Sequence, residues 1–277
     1  MENFKVGLAL GSGGLCGIAH IGFLEVLEEN NIQIDMIAGI SMGAVVGGLF
    51  ASGLSSKKIK EMALDLSKSD IIELNYFKIL KQSLLSARKI ENYYQKYLIA
   101  KNIEESKIEY CSQAMDVLTG KLYTFDKGSF IEAIRASSAI PGIFPPIEKN
   151  ETYYIDGGVV ECIPYNILKE KGADVIIAVN CLNEYKETQL PKNSIDMLID
   201  AFNCMNYNVW KNSKEKYKDN YDIFCHDNTE GVNPLSTNLS PIPRLIESGR
   251  KSAEKYLEEI KKIIELKKEM KKNVEKK

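Results

Sequence analysis

Along most of the chain, short apolar segments alternate with longer segments in which apolar residues recur every three or four positions. Residues 6–10 and 175–179 are compact apolar runs of strand length, whereas residues 18–29 carry an apolar stripe at helical spacing. Buried strands that alternate with amphipathic helices are typical of a mostly parallel sheet with helices on both faces. The pattern therefore predicts an α/β fold.

The same pattern predicts where the individual elements lie and favours a single domain. Residues 107–125 read as a hairpin around Gly120, and residues 55–105 are mixed and helical, as expected of surface helices or an inserted lid. No linker or internal repeat divides the chain, so we expect one domain over 1–277, with a core over about 5–257 and a lysine-rich helix over 244–277. Other strands are predicted at 33–38, 153–155, 174–180 and 221–225, and other helices at 44–53, 130–136, 163–170 and 194–217.

Charge and cysteine content restrict the class of protein. The net charge of -2 over 277 residues gives no reason to expect a nucleic-acid partner. Six dispersed cysteines without a C-x-x-C pair, and only two histidines, predict neither a zinc site nor a disulfide framework and suit a reducing cytoplasm. The N-terminus lacks the basic region of a secretory signal. Residues 36–56 are uncharged, but five glycines and four serines make a buried strand and helix a better interpretation than a membrane span.

The central motif joins the second predicted strand to the second predicted helix. Gly39, Ser41 and Gly43 form a Gly-x-Ser-x-Gly pattern between an apolar strand and a small-residue helix. In that context the pattern indicates a nucleophile elbow, in which a strained turn projects the serine hydroxyl and glycines permit close packing. A glycine- and serine-rich turn without chemistry is the alternative.

A glycine-rich loop follows the first strand, and three interpretations are open for it. Gly11, Gly13 and Gly17 loosely match a dinucleotide-binding loop, but Cys16 stands where that motif has glycine and Asp35 lies near the start of its strand rather than at its end. An oxyanion hole is the second interpretation, because unobstructed glycine N–H groups can converge on one oxygen. A purely structural turn is the third.

A serine nucleophile needs a base, and three side chains are candidates. His226 fits the chain order of a Ser-Asp-His triad, whereas His20 lies in the first helix, where it could simply pack. Asp156 follows a predicted strand and is flanked by Gly157 and Gly158, which allow a substrate to approach. A carboxylate in a dry site can take the proton from a hydroxyl directly. An Asp-Gly turn without catalytic function is the simpler alternative for Asp156.

Four motifs together resemble those of the patatin-like phospholipases, and the bacterial, soluble branch is most similar. The resemblance spans most of residues 6–257. It implies a three-layer α/β/α fold and a Ser-Asp dyad that hydrolyses acyl esters of lipids, with no need for a histidine base, a metal or a cofactor. The motifs occupy residues 11–22, 39–44, 136–141 and 156–158 in the family's order and spacing.

The resemblance also assigns roles to individual residues. Ser41 resembles the nucleophile and Asp156 the base, while Gly13 and Gly14 resemble oxyanion-loop members, to which we add the N–H of Met42. The expected function is a serine acyl hydrolase that acts on a lipid ester, of the phospholipase A, lysophospholipase or esterase type. The motifs do not specify the acyl position or the oligomeric state.

Two departures from the family pattern bear on the expected activity. Ser12 replaces a glycine and Cys16 replaces a basic residue, which removes a positive charge near the oxyanion loop. A catalytically weak regulatory protein with this fold is therefore one alternative, and a nucleotide-binding Rossmann protein is another.

The end of the C-terminal helix is rich in lysine: residues 261–277 hold eight lysines against three glutamates. This helix end is either a solvated surface or a peripheral contact with anionic lipid at the inner membrane surface.

Overall fold

A computed structural model describes residues 4–67, 87–183, 190–191, 194–216 and 218–275. Part of the mixed segment 55–105 lies outside these residues. The strands are β1 (Val6–Leu10), β2 (Met36–Gly39), β3 (Glu109–Asp116), β4 (Leu122–Phe125), β5 (Ile147–Lys149), β6 (Thr152–Asp156), β7 (Val175–Asn180) and β8 (Ile223–His226). The α-helices are α1 (Ala19–Glu29), α2 (Met42–Ala51), α3 (Ser56–Asp65), α4 (Ala87–Tyr97), α5 (Phe130–Ser137), α6 (Tyr165–Glu170), α7 (Ser194–Lys216) and α8 (Ile242–Glu275).

The eight strands form one mixed sheet that is parallel at its centre. The strand order is β5-β6-β3-β2-β1-β7-β8, and β4 pairs with β3 outside this path. Strands β3, β2, β1, β7 and β8 run parallel to one another, while β4 and β6 pair antiparallel with β3. The carboxyl ends of the parallel strands therefore meet at one edge of the sheet, where open α/β sheets bind ligands.

Helices cover both faces of the sheet, as the alternating pattern predicts. On one face, Leu8, Leu10 and Ile37 pack with α1, α2, α3, α5 and α8 in one apolar core. On the other face, Ala9 and Ala38 pack with α6 and α7 in a second core. Neighbouring residues of one strand enter different cores because strand side chains alternate between faces. The predicted α/β/α fold is confirmed.

Strand β3 brings two strand ends together on one of its edges. Ser112 pairs with Gly39 of β2 on that edge, while Ala114 pairs with Asp156 of β6. Both strands must share this edge, because β4 occupies the opposite edge of Ser112 and Ala114. β2 and β6 run in opposite directions, so their carboxyl ends point at each other across Gln113.

The longest helix, α8, packs along α1 over most of its first half. Two glycines allow the close approach: a Cβ on Gly22 would lie 1.9 Å from the carbonyl oxygen of Ile246, and one on Gly249 would lie 1.8 Å from that of Ala19. The C-terminal end of α8 lies at the edge of the sheet where the parallel strands begin. There Lys271 pairs with Asp174, which directly precedes β7, at 2.8 Å. Within the described residues, no helix has the length and apolarity needed to cross a membrane.

Most predicted elements occur within a few residues of their expected positions. The first helix is shorter than expected at its start, because Gly14–Ile18 forms a 3-10 helix before α1. β5 was missed; its three residues are exposed or half-buried and follow a proline-rich loop, so they carry no apolar pattern.

Candidate active site

Ser41 lies in a strained turn between β2 and α2. Its backbone has φ 55° and ψ -122°, a conformation that residues other than glycine rarely adopt. Close packing explains both flanking glycines, because a Cβ on Gly43 would lie 2.1 Å from the carbonyl oxygen of Leu10 and one on Gly39 would lie 2.5 Å from Ala44. The turn has the form that the Gly-x-Ser-x-Gly pattern predicts.

Ser137 connects this turn to the strand beside it. The backbone N–H of Ser41 donates to the Ser137 hydroxyl oxygen at 3.0 Å, and that hydroxyl donates to the carbonyl oxygen of Gln113 at 2.7 Å. Gln113 is the residue of β3 that separates the ends of β2 and β6. The strained turn is therefore fixed directly beside the end of the strand that carries Asp156.

Asp156 is fully buried with one oxygen bonded and the other uncommitted. Its Oδ1 accepts a hydrogen bond from the N–H of Gly158 at 2.8 Å, while its Oδ2 has no hydrogen-bond partner of good geometry among the described residues. Burial raises the pKa of Asp156 to about 6, and the neighbouring Ser41 hydroxyl and the Gly158 N–H offset part of that rise. Gly157 packs tightly, since a Cβ there would lie 2.4 Å from the Gln113 carbonyl oxygen.

Three backbone N–H groups of the glycine loop and the Ser41 turn have no hydrogen-bond acceptor among the described residues. The N–H groups of Ser12 and Leu15, on either side of the two loop glycines, donate to carbonyl oxygens at 2.8 and 2.7 Å. The N–H groups of Gly13, Gly14 and Met42 donate to no residue in the part of the chain that the structure describes. Gly14 has φ +50°, and a Cβ there would strike a neighbouring backbone, so glycine is required.

Neither histidine is placed to serve Ser41 as a base. His226 ends β8, which is three strands from β2 and therefore roughly 14 Å away across the sheet. Its Nδ1 lies 2.8 Å from the amide nitrogen of Asn180. His20 is fully buried in α1, with its Nε2 2.8 Å from the carbonyl oxygen of Gly11.

Comparison with known proteins identifies the family. A family model described as patatin-like phospholipase matches residues 8–169, which is more than half of the chain. The chain belongs to the patatin-like phospholipase family. This range contains the glycine loop, the strained serine turn and Asp156, and it ends before α7, β8 and α8.

Two relatives show that this patatin-like chain matches only part of longer proteins. An uncharacterized NTE family protein of Mycobacterium tuberculosis is 39% identical over 176 residues, which cover 64% of this chain and 49% of the relative. Lysophospholipase NTE1 of Candida albicans is 32% identical over 186 residues, covering 65% of this chain and 13% of the relative. The match therefore spans about half of the first relative and much less of the second.

A solved structure supports the fold assignment over nearly the whole chain. VipD from Legionella pneumophila superposes with a TM-score of 0.60 at 15% sequence identity, covering 94% of this chain and 67% of that one. At this identity the similarity concerns the fold alone. It extends the structural match beyond the family-model range into the C-terminal helices.

An apolar pocket opens beside the patatin-like serine turn. The pocket has a volume of about 150 Å³, and Ser41, Met42 and Gly14 form part of its wall. A cavity of that volume holds a molecule of about the size of benzene. Most of the remaining wall is aromatic or aliphatic and includes Leu15, Ile18, Val45, Leu66, Tyr93, Tyr94, Ile140, Ile143, Phe144, Leu239 and Ile242.

The two departures from the family motif have clear structural surroundings. Ser12 and Cys16 are both buried, and the Cys16 sulfur lies 3.6 Å from the carbonyl oxygen of Val232. Burial raises the pKa of the Cys16 thiol to about 11, and the Thr229 side chain and the positive charge of Arg244 on α8 offset part of that rise. At neutral pH Cys16 itself therefore carries no charge where the family has a basic residue.

Sequence reasoning missed two residues that shape the site. Ser137 lies in a recognised motif, but its contact with Ser41 depends on how α5 packs, which no local pattern reveals. Arg135 is buried in the pocket wall, where its Nε donates to Glu91 at 2.8 Å and its guanidinium lies over the ring of Phe144. The sequence does contain a signal for Arg135, because it is an arginine on the buried face of an amphipathic helix.

The dinucleotide-binding alternative lacks the acid that it needs. The carboxylate of Asp35 accepts a hydrogen bond from the N–H of Val6 at 2.9 Å, at the amino end of β1. That position is the edge of the sheet opposite the glycine loop. A ribose-binding acid would have to follow β2, where the chain instead enters the turn of Ser41.

Proposed function

We propose that this protein is a serine hydrolase that cleaves carboxylic ester bonds of lipids through a dyad of Ser41 and Asp156. The observation that carries the proposal is the meeting of two strand ends on one edge of β3, which sets a strained serine beside a buried carboxylate. The uncommitted Asp156 Oδ2 and an adjoining apolar pocket are consistent with it. The family relationship gives the substrate class, lipid esters.

In the first half-reaction the Ser41 hydroxyl attacks the ester carbonyl carbon. Asp156 accepts the hydroxyl proton as the new C–O bond forms, which the dry surroundings and raised pKa of its carboxylate favour. The N–H groups of Gly13, Gly14 and Met42 stabilise the developing alkoxide, because preorganised donors in a water-poor site lower its energy. Collapse of the tetrahedral intermediate breaks the ester C–O bond, and the alcohol or lysolipid leaves with the proton from Asp156.

In the second half-reaction a water molecule replaces the alcohol. Asp156 takes a proton from that water, whose oxygen attacks the acyl carbon, and the same oxyanion donors stabilise the second intermediate. The fatty acid leaves as Ser41 regains its proton. No step requires a metal or an imidazole. An acceptor alcohol could take the place of water, because the acyl-enzyme is common to hydrolysis and acyl transfer.

The pocket volume favours a short acyl chain, or the first carbons of a single longer chain, as the recognised group. A volume of about 150 Å³ is small compared with the roughly 300–1,000 Å³ of typical ligand pockets. We therefore propose preferential hydrolysis of short-chain esters and single-chain lipids. Hydrolysis rates for p-nitrophenyl esters of increasing chain length, and for a lysophospholipid against its diacyl counterpart, test this preference. Faster cleavage of the diacyl lipid would contradict it.

The decisive test of the dyad is covalent labelling. A fluorophosphonate probe should label the wild-type protein at Ser41, and peptide mass spectrometry should place the adduct there. Ser41→Ala should abolish labelling, while Ser52→Ala, which changes a buried serine later in the same segment, should retain it. Labelling that persists in Ser41→Ala would refute the proposed nucleophile. Absence of labelling in the folded wild type would favour the regulatory alternative, which the substitution at Cys16 motivates.

We also propose a cytoplasmic location with peripheral contact to anionic lipid through the end of α8. Three exposed lysines near that end, Lys262, Lys268 and Lys272, are the candidate contacts, whereas Lys267 and Lys271 pair with carboxylates. Flotation with vesicles containing phosphatidylserine tests this contact. The triple lysine-to-glutamine variant should float less than wild type; equal flotation would contradict the contact.

A further inference from the structure

Behind the oxyanion loop, three side chains with metal-ligating groups meet in the interior. His20 comes from α1, Cys181 follows β7 and Asp227 follows β8, and each has 0% of its surface exposed. The Cys181 sulfur lies 3.5 Å from both ring nitrogens of His20 and 3.2 Å from Oδ2 of Asp227. One ligand atom from each residue falls within 4.8 Å of the other two. The dyad uses none of these groups.

A backbone contact fixes which nitrogen of His20 can bind a cation. Nε2 lies 2.8 Å from the carbonyl oxygen of Gly11, and because a carbonyl can only accept, Nε2 carries the hydrogen. The lone pair of the ring is then on Nδ1. Metal-binding histidines characteristically donate their other N–H to a carbonyl or carboxylate in this way, which orients the ring and sets its tautomer.

Asp227 has an oxygen without a partner. Oδ1 is buried and forms no hydrogen bond of good geometry in the described part of the chain, whereas Oδ2 accepts one from the Cys181 thiol at 3.2 Å. Burial raises the pKa of Asp227 to about 6, and the Ser252 hydroxyl and the Cys181 thiol offset part of that rise. A buried carboxylate oxygen without a donor is unfavourable. A divalent cation bound by one carboxylate and one thiolate would make the cluster neutral, which is the charge that a fully buried site requires.

Two of the three spacings between the ligand atoms match those of a zinc site. Bonds of about 2.3 Å to sulfur and 2.0–2.1 Å to nitrogen or oxygen place tetrahedral zinc ligands roughly 3.3–3.6 Å apart. The Nδ1–Sγ separation of 3.5 Å and the Sγ–Oδ2 separation of 3.2 Å agree with this to within a few tenths of an ångström. The sulfur is equally far from Nε2, so it lies to one side of the Nδ1 lone pair, and zinc binding requires the Cys181 side chain to rotate toward that lone pair. The mixed nitrogen, sulfur and oxygen donors also suit zinc better than magnesium or calcium, which prefer oxygen alone.

We propose that His20 Nδ1, Cys181 Sγ and the Asp227 carboxylate form a structural binding site for Zn²⁺. Asp227 supplies Oδ2 and the otherwise unpartnered Oδ1, which gives four donor atoms in a distorted tetrahedral set, because the two oxygens of one carboxylate lie closer together than separate ligands do. Binding releases the thiol proton of Cys181 to solvent, so zinc affinity falls as pH is lowered. The sequence-based expectation of no zinc site rested on local spacing, whereas these residues converge only in the folded chain.

The site would brace the oxyanion loop without taking part in the reaction. A Cβ on Gly13 would lie 3.1 Å from the Cβ of Cys181, and the Gly11 carbonyl is held by His20. A cation that fixes Cys181 and His20 therefore limits the movement of both ends of the Gly11–Gly13 segment. This role is positional, and it is independent of which ester the protein cleaves.

Metal binding to the purified full-length protein tests the proposal directly. After chelator treatment, titration with Zn²⁺ against a chromophoric chelator should show one zinc per chain. Co²⁺ in place of zinc should give the visible bands of a tetrahedral site and a thiolate-to-cobalt absorption in the near ultraviolet. Zn²⁺ should also raise the midpoint of thermal unfolding. These readouts do not depend on ester hydrolysis, so they are separate from the test of the dyad.

Matched variants assign the ligands. Cys181→Ser should abolish the thiolate absorption, and Asp227→Asn should weaken zinc binding at least about tenfold, as loss of a charged ligand implies. Cys225→Ser is the control, because it removes another fully buried cysteine from the neighbouring strand. Zinc bound equally by Cys181→Ser would overturn the site. Wild type that binds no zinc, or gives octahedral cobalt without thiolate absorption, would overturn it even if the variants fail to fold.

Discussion

Two carboxylates, Asp156 and Asp227, have nearly the same electrostatic state but very different surroundings. Both are fully buried, and burial raises the pKa of each to about 6. Each also has one oxygen without a hydrogen-bond partner in the described residues. Asp156 adjoins the hydroxyl of Ser41, which borders an apolar pocket, whereas Asp227 adjoins a thiol and an imidazole in the closed interior.

The difference teaches that a raised pKa records the cost of burial and not the role of the group. A carboxylate beside a hydroxyl and a pocket can exchange protons with a substrate, while one beside a thiol and an imidazole can share a cation with them. The group that faces the uncommitted oxygen therefore distinguishes the two functions. The following experiments separate them.

The largest expected difference is in catalysis. Ser41→Ala and Asp156→Asn should each lower kcat/KM for a short-chain ester by roughly 10³-fold or more, because one removes the nucleophile and the other its base. Asp227→Asn should cost less than about tenfold, since it acts only through the loop. Initial rates on matched, folded variants measure both effects. Comparable losses from the two aspartate variants would erase the distinction.

The second expected difference is in stability. An acid whose folded pKa of about 6 exceeds its unfolded value of 3.8 binds protons more tightly when folded, so stability falls as pH rises between those values. The loss is up to about 3 kcal/mol per group. Asp156→Asn and metal-free Asp227→Asn should therefore unfold with a weaker pH dependence than wild type. With Zn²⁺ present, only Asp227→Asn should lose stability relative to wild type. Urea denaturation between pH 4 and 8 measures both effects.

The pH profile of activity gives a third separation. Asp156 must be ionised to act as a base, so kcat/KM should fall about tenfold per pH unit below its pKa of about 6 and level off above it. Asp227→Asn should leave this acidic limb at the same pH. A limb that moves in Asp227→Asn, or an activity that is flat down to pH 5, would assign the titration to another group.

Ser137 allows a smaller test of the Asp156 side of the comparison. Ser137→Ala removes the hydrogen bond that holds the Ser41 backbone, which is worth about 1–1.5 kcal/mol and hence roughly tenfold in kcat/KM. Ser52→Ala is the matched control, since the buried Ser52 hydroxyl also donates to a backbone carbonyl, that of Leu49, and does not line the pocket. Zinc binding should be unchanged in both variants. Equal rates for the two variants would show that Ser137 does not position the nucleophile.

The smallest effect is expected at the second histidine. His226→Ala should change kcat/KM less than about twofold, because His226 lies three strands from Ser41 at the edge of the sheet. Circular dichroism should confirm that the variant is folded. A folded but inactive His226→Ala protein would restore the triad that Asp156 replaces in our proposal.

The sequence predicted those parts of the candidate site that have local signatures. The elbow at Ser41 and the loop at Gly13 each lie between a strand and a helix, and such contexts are visible as changes in apolar periodicity. The contact between Ser137 and Ser41 spans 96 positions, and that between His20 and Cys181 spans 161. Contacts of this kind depend on strand register and helix packing, which no window of sequence contains.

The path of α8 has a consequence for how the protein could meet a bilayer. The helix starts at Ile242 in the pocket wall and runs to the exposed Lys268 and Lys272 near Phe4, about 40 Å away at 1.5 Å per residue. Its two ends lie at opposite edges of the sheet. A protein bound to a charged membrane surface through these lysines would turn the pocket beside Ser41 toward the water. In that orientation it would act on lipids already released from the membrane, and adhesion and turnover would be separable properties.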